Sequence, residues 1–212
     1  MDEKRISSAV IKRLPRYYRY LSDLLDNGID RISSKELSQR MHLTASQIRQ
    51  DLNCFGGFGQ QGYGYNVQYL YNEIAGILGV QDAYSVIIIG GGNMGQAVAR
   101  YTNFKRRGFS IEAIFDVNPE IVGTSVNGLT VLHADSLEDY AAEHNVDIAV
   151  MTIPKKSTKE MVVRAAKAGI KGIWNFSSVD LHEEVEQYGL VVENVHLSDS
   201  LMVLGYRLHI AE

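Results

Sequence analysis

The sequence predicts an α/β chain of two units: a small N-terminal helical unit with a β-hairpin, then a larger doubly wound parallel sheet and a C-terminal helix. Three observations predict it. Short, fully apolar runs alternate with helical patterns from residue 85 to residue 195, as strands buried on both faces of a parallel sheet do. Before them, helix caps and i, i+3, i+4 apolar spacing dominate, with one glycine-rich stretch at 56–64. Charge divides at the same place: residues 1–80 hold 10 Lys/Arg against 8 Asp/Glu, whereas residues 81–212 hold 11 against 17, which suggests different partners for the two units.

Composition excludes several classes. The 212 residues are 45% hydrophobic and 22% charged, with 3 Pro and 19 Gly, a globular profile rather than a disordered or collagen-like one. Apolar runs such as 86–89 and 148–151 fall far short of the ~18 residues of a membrane helix. Cys54 stands alone, so no internal disulfide forms and nothing points to an oxidising compartment. The expectation is a cytoplasmic protein.

In the first unit, Ser7 and Ser8 can cap a first turn, and Pro15 fits the start of a helix with Tyr18, Leu21, Leu24 and Leu25 on one stripe, ended by Gly28. Ser33 with Glu36 makes a capping box for a short helix through Leu37 and Met41; after a tight connection at His42 and Leu43, Thr44 with Gln47 makes a second. Two short helices joined this way form a helix-turn-helix. In its second helix Ile48 and Leu52 face inward, leaving Ser46, Gln47, Arg49 and Gln50 outward, side chains of the kinds that reach phosphates and base edges. Phe58, Gly59, Gln60, Gln61 and Tyr63 belong to an aromatic and glycine hairpin that reads as a wing, where glycine supplies positive φ and lets amides approach a phosphate. Arg13 and Arg16, clustered with Lys12 and Arg19, add candidate backbone contacts. Val67, Leu70, Ile74 and Leu78 then recur at helical spacing up to Gly79. A helix-turn-helix also occurs in domains that never touch nucleic acid, and +2 is a modest electrostatic footprint for a DNA reader.

The second unit opens with a strand at 85–89 that runs into Gly90-Gly91-Gly92-Asn93-Met94-Gly95, a G-x-G-x-x-G motif. A helix follows from Gln96 to about Asn103, with Ala97, Val98 and Tyr101 at packing positions, then a strand at 111–115 ending at Asp116 and Val117. The mechanism is physical: Gly90 permits the tight turn, Gly92 lets backbone approach a pyrophosphate, Gly95 lets helix and strand pack closely, and the phosphates sit at a helix N-terminus. Asp116 lies 21 residues after Gly95, where a carboxylate accepts from ribose hydroxyls. It repels a 2′-phosphate, and no Arg follows before Arg164, so NAD(H) is favoured over NADP(H). Further strands are expected at 131–132, 147–152, 173–176 and 190–195, with helices at 136–143 and 158–168. Thr152, Ile153, Pro154 and Asn175 end strands at the crevice of this Rossmann-like domain and are candidates for the nicotinamide half. Pro154 also reads as a turn residue.

An enzyme needs a proton donor or acceptor beside its substrate, and none is evident. Tyr101 and Lys105 have Tyr-x-x-x-Lys spacing but close the first helix of the sheet domain, so Tyr101 is expected to pack on the crevice, where with Gln96 and Val117 it is a candidate for holding the nucleotide, and Lys105 to face solvent. His133, His144, His182, His196 and His209 show no metal-ligand spacing. Cys54 reads as a small buried residue, with a redox thiol as the alternative. An NAD-dependent oxidoreductase with an N-terminal interaction domain remains open, as does a nucleotide unit for CoA.

Ile48-Arg49-Gln50-Asp51-Leu52, Phe55-Gly56, Gly62-Tyr63-Gly64-Tyr65-Asn66-Val67 and the glycine motif, with Leu14-Pro15-Arg16-Tyr17-Tyr18-Arg19, Phe115-Asp116-Val117 and Asn175-Phe176, resemble the redox-sensing transcriptional repressors called Rex over nearly the whole chain. The resemblance implies a winged helix at 1–80, a Rossmann NAD(H) domain at 81–195 and a C-terminal dimerisation helix at 196–212 that exchanges between subunits. It also implies a homodimer that represses genes of fermentation and respiration, holds operator DNA when NAD+ prevails and releases it when NADH binds. Leu197, Leu201, Leu204 and Leu208 form a stripe suited to such a helix. The chain departs from many relatives in carrying Gln50, Gln60 and Gln61 in place of Lys or Arg, which removes up to three phosphate charges, and in His196 where some have Asp; Asp199 is one turn away.

Overall fold

A computed structural model of the chain describes residues 6–56, 59–60 and 63–210, and the chain divides into two compact units, Met1–Gln81 and Asp82–Glu212. In the first, the Ser7 hydroxyl accepts from the Val10 amide and caps α1 (Ser8–Asp26). Pro15 lies inside α1 rather than at its start. The buried stripe begins at Val10 and Leu14 and continues through Tyr17, Leu21 and Leu24, and that packing offsets the ~3 kcal/mol that an interior proline costs.

Next come β1 (Arg31–Ile32), α2 (Ser34–Met41), α3 (Ala45–Asn53), β2 (Gly59–Gln60), β3 (Gly64–Asn66) and α4 (Val67–Ile77). The Ser33–Glu36 box closes in both directions at the head of α2, and His42, at φ 52°, turns the chain into α3. The three strands form an antiparallel sheet in the order β1-β3-β2. A Cβ at Gly64 would lie 2.7 Å from the Ile32 carbonyl oxygen, so only glycine allows β3 to sit against β1. Tyr71 of α4 stacks on Tyr18 of α1 with ring centroids 4.5 Å apart. Leu14, Tyr17, Leu37, Met41, Ile48, Leu52 and Leu70 fill one core. A helix-turn-helix followed by a hairpin on a shared core is a winged helix.

The second unit runs β4 (Tyr84–Ile89), α5 (Asn93–Ala99), β5 (Phe109–Asp116), β6 (Ser125–Val126), β7 (Leu129–His133), α6 (Leu137–Glu143), β8 (Ile148–Met151), α7 (Lys155–Lys167), β9 (Gly172–Asn175), α8 (His182–Tyr188), β10 (Val191–Asn194) and α9 (Leu197–His209). Its sheet has the order β10-β9-β8-β4-β5-β7-β6, parallel except at β6. Strand order reverses at β4, so the crevice expected of such sheets opens where β4 and β8 end. β6 pairs with β7 across Asn127 and Gly128, at φ 52° and 83°. Asn-Gly is the residue pair that such two-residue hairpin turns favour.

Alternate residues of β4 face opposite layers. Ile87 and Ile89 pack with α6, α7 and α8, and Val86 and Ile88 with α5. Arg164 of α7 forks onto Glu138 of α6 with two contacts of 2.6 Å. The α5 side is only partly covered: Val86, Ile148, Val150, Trp174 and Val191, with Arg107 and Glu193, line an open apolar groove of about 390 Å³. α9 contributes nothing to either core; its large apolar residues and Ile210 are 51–68% exposed. No helix among the described residues is long and apolar enough to cross a membrane.

Candidate functional site

The glycine motif forms a loop locked from several sides. Gly90 has φ 110°, and a Cβ there would lie 2.6 Å from the Thr152 carbonyl oxygen, so the loop turns directly against the end of β8. The Thr152 hydroxyl donates to the Gly90 carbonyl at 2.8 Å, and the Gln96 amide donates to the Gly91 carbonyl at 2.9 Å. Asp116, ending β5, accepts from the Gly91 amide at 2.6 Å and from the Asn118 amide at 2.8 Å. A Cβ at Gly95 would lie 1.8 Å from the Gly90 oxygen, whereas one at Gly92 would meet nothing within 4 Å. The loop is therefore packed on its protein side and open at Gly92, the geometry a pyrophosphate requires. α5 begins at Asn93, three residues before the expected start, and no side chain caps it among the described residues. The first-turn amides of Asn93, Met94 and Gly95 are thus available to an anion.

Other predicted positions are placed differently. Met94 packs its side chain into the α5 layer. Val117 is exposed beyond Asp116. Ile153 is half-buried and Pro154 is the N-cap of α7, so both border the crevice. Tyr101 does not reach it. α5 runs back along the sheet at ~1.5 Å per residue, and Tyr101, past its end, meets Phe104 edge-on at 4.7 Å in an aromatic series with Trp174 and Phe176. Ala97 is exposed, and Val98 and Ala99 are the packing residues. Asn175 is fully buried and fully used: it donates to Val179 and Asn194 and accepts from Ser177. It holds the ends of β9 and β10 together and is not free for a ligand.

On the winged helix, Ser46, Arg49 and Gln50 are exposed on α3, and Arg49 donates to the Ser34 hydroxyl at 3.1 Å. Tyr63 is 70% exposed, and Gly59 and Gln60 form β2. Phe58 and Gln61 lie outside the described residues. Two positions read as facing DNA turn inward instead. Gln47 donates to Asp51 Oδ1 at 2.8 Å, and Arg13 forks onto both oxygens of Asp51 at 2.7 Å. Arg16 is also engaged, donating to the Met41 carbonyl at the end of α2. The missed residue is Asp51, fully buried. Its place between Ile48 and Leu52 on the inward stripe was the available signal, since a carboxylate there requires a cation. Burial alone would raise its pKa, but hydrogen bonds from Arg13, Gln47 and Tyr17 outweigh that and hold it below the usual carboxylate value. Burial, then the bond to Asp51, pushes the Tyr17 phenol above its usual value. Cys54, read as buried, is exposed and its thiol points at the Gln50 carbonyl.

A family model described as "CoA binding domain" matches residues 81–179, and one described as "Putative DNA-binding protein N-terminus" matches residues 5–53. The redox-sensing transcriptional repressor Rex of Clostridioides difficile strain 630 is 55% identical over 97% of this chain and 97% of its own length. The Rex of Caldanaerobacter subterraneus subsp. tengcongensis is 54% identical over 99% of this chain and 92% of its own. A solved structure of RSP with β-NAD+ and operator DNA superposes with a TM-score of 0.90 at 52% identity, covering 97% of this chain and 94% of that one. RSP with β-NADH gives 0.89 at 48% identity, covering 98% and 96%. With a winged helix, a Rossmann-like sheet and likeness of this extent along its whole length, the chain belongs to the Rex family of redox-sensing transcriptional repressors.

Proposed function

We propose that the chain is a homodimeric repressor that holds operator DNA through α3 and the wing and releases it when NADH occupies the loop at residues 90–95. The observation that carries this reading is the backbone cradle open at Gly92 and flanked by Asp116, in a chain whose other unit is a winged helix. Residues 1–80 read DNA, 81–195 bind the nucleotide and 196–212 dimerise. The amides of Asn93, Met94 and Gly95 would hold the pyrophosphate, and Asp116 the adenosine ribose. Thr152, Ile153 and Pro154 border the nicotinamide half. Apolar Ile153 disfavours a cationic ring, since desolvating a charge without a partner is costly. A hundredfold preference for the reduced form needs only ~2.7 kcal/mol. A repressor that reads operator DNA and answers to NADH is expected to work in the cytoplasm.

The exposed stripe of α9 supports exchange of that helix between subunits. Apolar residues half or more exposed along a thirteen-residue helix need a cover, and the 390 Å³ groove on the α5 side is an apolar surface able to give one. Two reader helices ~34 Å apart can enter successive major grooves, so a rotation between subunits is enough to abolish docking.

The test is a gel shift on the DNA upstream of the chain's own operon, with and without NADH. Retardation relieved by NADH is expected; equal retardation at saturating NADH would sink the reading. Asp116→Ala should weaken NADH binding by roughly ten- to 150-fold, the loss of a charge-assisted hydrogen bond of ~1.5–3 kcal/mol, and leave operator binding intact. The CoA description of the matched family model makes a CoA titration the second arm. Because Asp116 repels a phosphorylated ribose, CoA is expected to bind far more weakly than NADH.

A further inference from the structure

The two oxygens of Asp51 accept four hydrogen bonds. Arg13 Nε gives one to Oδ2 and its Nη2 one to Oδ1, both at 2.7 Å. The Tyr17 hydroxyl reaches Oδ2 at 2.9 Å and the Gln47 amide reaches Oδ1 at 2.8 Å. Arg13 and Tyr17 stand one turn apart on α1, so three donors on one face of that helix converge on one carboxylate of α3. A buried ion pair often adds little net stability over apolar residues of the same size. A planar fork does add geometry, because both contacts are kept at only one relative orientation. Here that orientation is the roll of α3 about its own axis. A roll of about 20° would move a side-chain tip at a radius of ~6 Å by roughly 2 Å, enough to break a bidentate contact with a base edge.

We infer that Arg13 and Gln47 act on DNA only through Asp51, as positioning residues that set the roll of α3, and that base and phosphate contacts on these helices fall to Ser46, Arg49 and Gln50. Gln47 spends one of its two amide hydrogens on Asp51 and Arg13 two of its five guanidinium hydrogens, and holding those contacts turns both side chains toward the buried carboxylate. The inference rests on α3 being the reading helix, and the experiment separates the two ideas.

The full-length protein is titrated by fluorescence anisotropy against operator duplex, its single-base-pair variants and non-specific DNA at several salt concentrations. Each variant is checked by thermal melt and NADH titration. Replacing the pair together, Arg13→Met with Asp51→Leu, removes both charges and keeps apolar volume. Operator affinity is expected to fall at least tenfold, with the slope of log affinity against log salt unchanged. A slope lower by about 0.9, the signature of one lost phosphate contact, would overturn the inference. Gln47→Met is expected to weaken every single-base variant evenly; loss of preference at one base pair would mean that Gln47 reads it. Tyr17→Phe keeps its ring in the core and removes one donor, and is expected to cost about threefold in operator affinity. Unchanged affinity in both Tyr17→Phe and the pair replacement also overturns the inference. If Arg49→Ala leaves operator affinity intact, α3 is not the reader, and the inference falls with that premise rather than by itself.

Discussion

Gly95→Ala is expected to lower NADH affinity by at least a hundredfold and to leave a repressor that no longer answers to the reduced nucleotide. The added methyl would sit 1.8 Å from the Gly90 carbonyl oxygen. Gly90 cannot retreat: its oxygen accepts from Thr152, and its own Cβ position is 2.6 Å from the Thr152 carbonyl. Helix α5 must therefore shift away from β4 by more than 1 Å, which takes the amides of Asn93 and Met94 out of register with a pyrophosphate and costs stability on the ~1–3 kcal/mol scale of overpacking. Gly92→Ala separates the two effects. Its methyl would touch nothing in the free protein, so the melting temperature should hold while NADH affinity drops, because the methyl fills the space the ligand needs. Fluorescence titration with differential scanning calorimetry checks both. Equal NADH affinity in wild type and Gly95→Ala would show that the loop does not hold the nucleotide.

The second large effect is expected on α9. Leu201 and Leu204 are 68% and 52% exposed and share one face of the helix. If that face is buried against a second copy, each leucine contributes about 1.5–3 kcal/mol, and a symmetric pair of subunits counts each twice. Leu201→Lys with Leu204→Lys should convert dimer to monomer at micromolar concentration, as read by light scattering. Operator retardation should be lost with it, since one reader helix alone gives up the second half-site. Trp174 lines the groove and is the only tryptophan of the chain, so its emission should shift to the red in the variant. A variant that stays dimeric with unshifted emission would rule out α9 as the exchanged element.

Much of this architecture was legible because its causes are local. An apolar run ending in glycines forces the β4–loop–α5 turn, and the Ser33–Glu36 box marks the head of α2 from four adjacent residues. The expected strands of the sheet fall within a few residues of those observed. What escaped depends on long-range packing. Pro15 reads as a helix start by local rule, yet Val10 and Leu14 bury the turn before it. Thr44 caps α3 as expected, accepting from the Gln47 amide, but the Gln47 side chain turns to Asp51 instead of closing the box. Arg13 finds Asp51 from 38 residues away, and no spacing rule announces such a pair. Tyr101, expected at the crevice, lies past the end of α5 and packs instead against Phe104.

The two outer strands of the sheet have a further consequence. One edge is β6, two residues long and tied back on β7 as a hairpin; the other is β10, four residues long with Glu193 in it. Neither offers a long, uncharged ladder of free amides and carbonyls onto which a neighbour's strand can be added. Self-association by strand addition, which has no natural end and leads to filaments, is disfavoured at both margins, leaving helix and sheet faces as the surfaces on which molecules can meet in closed, countable assemblies.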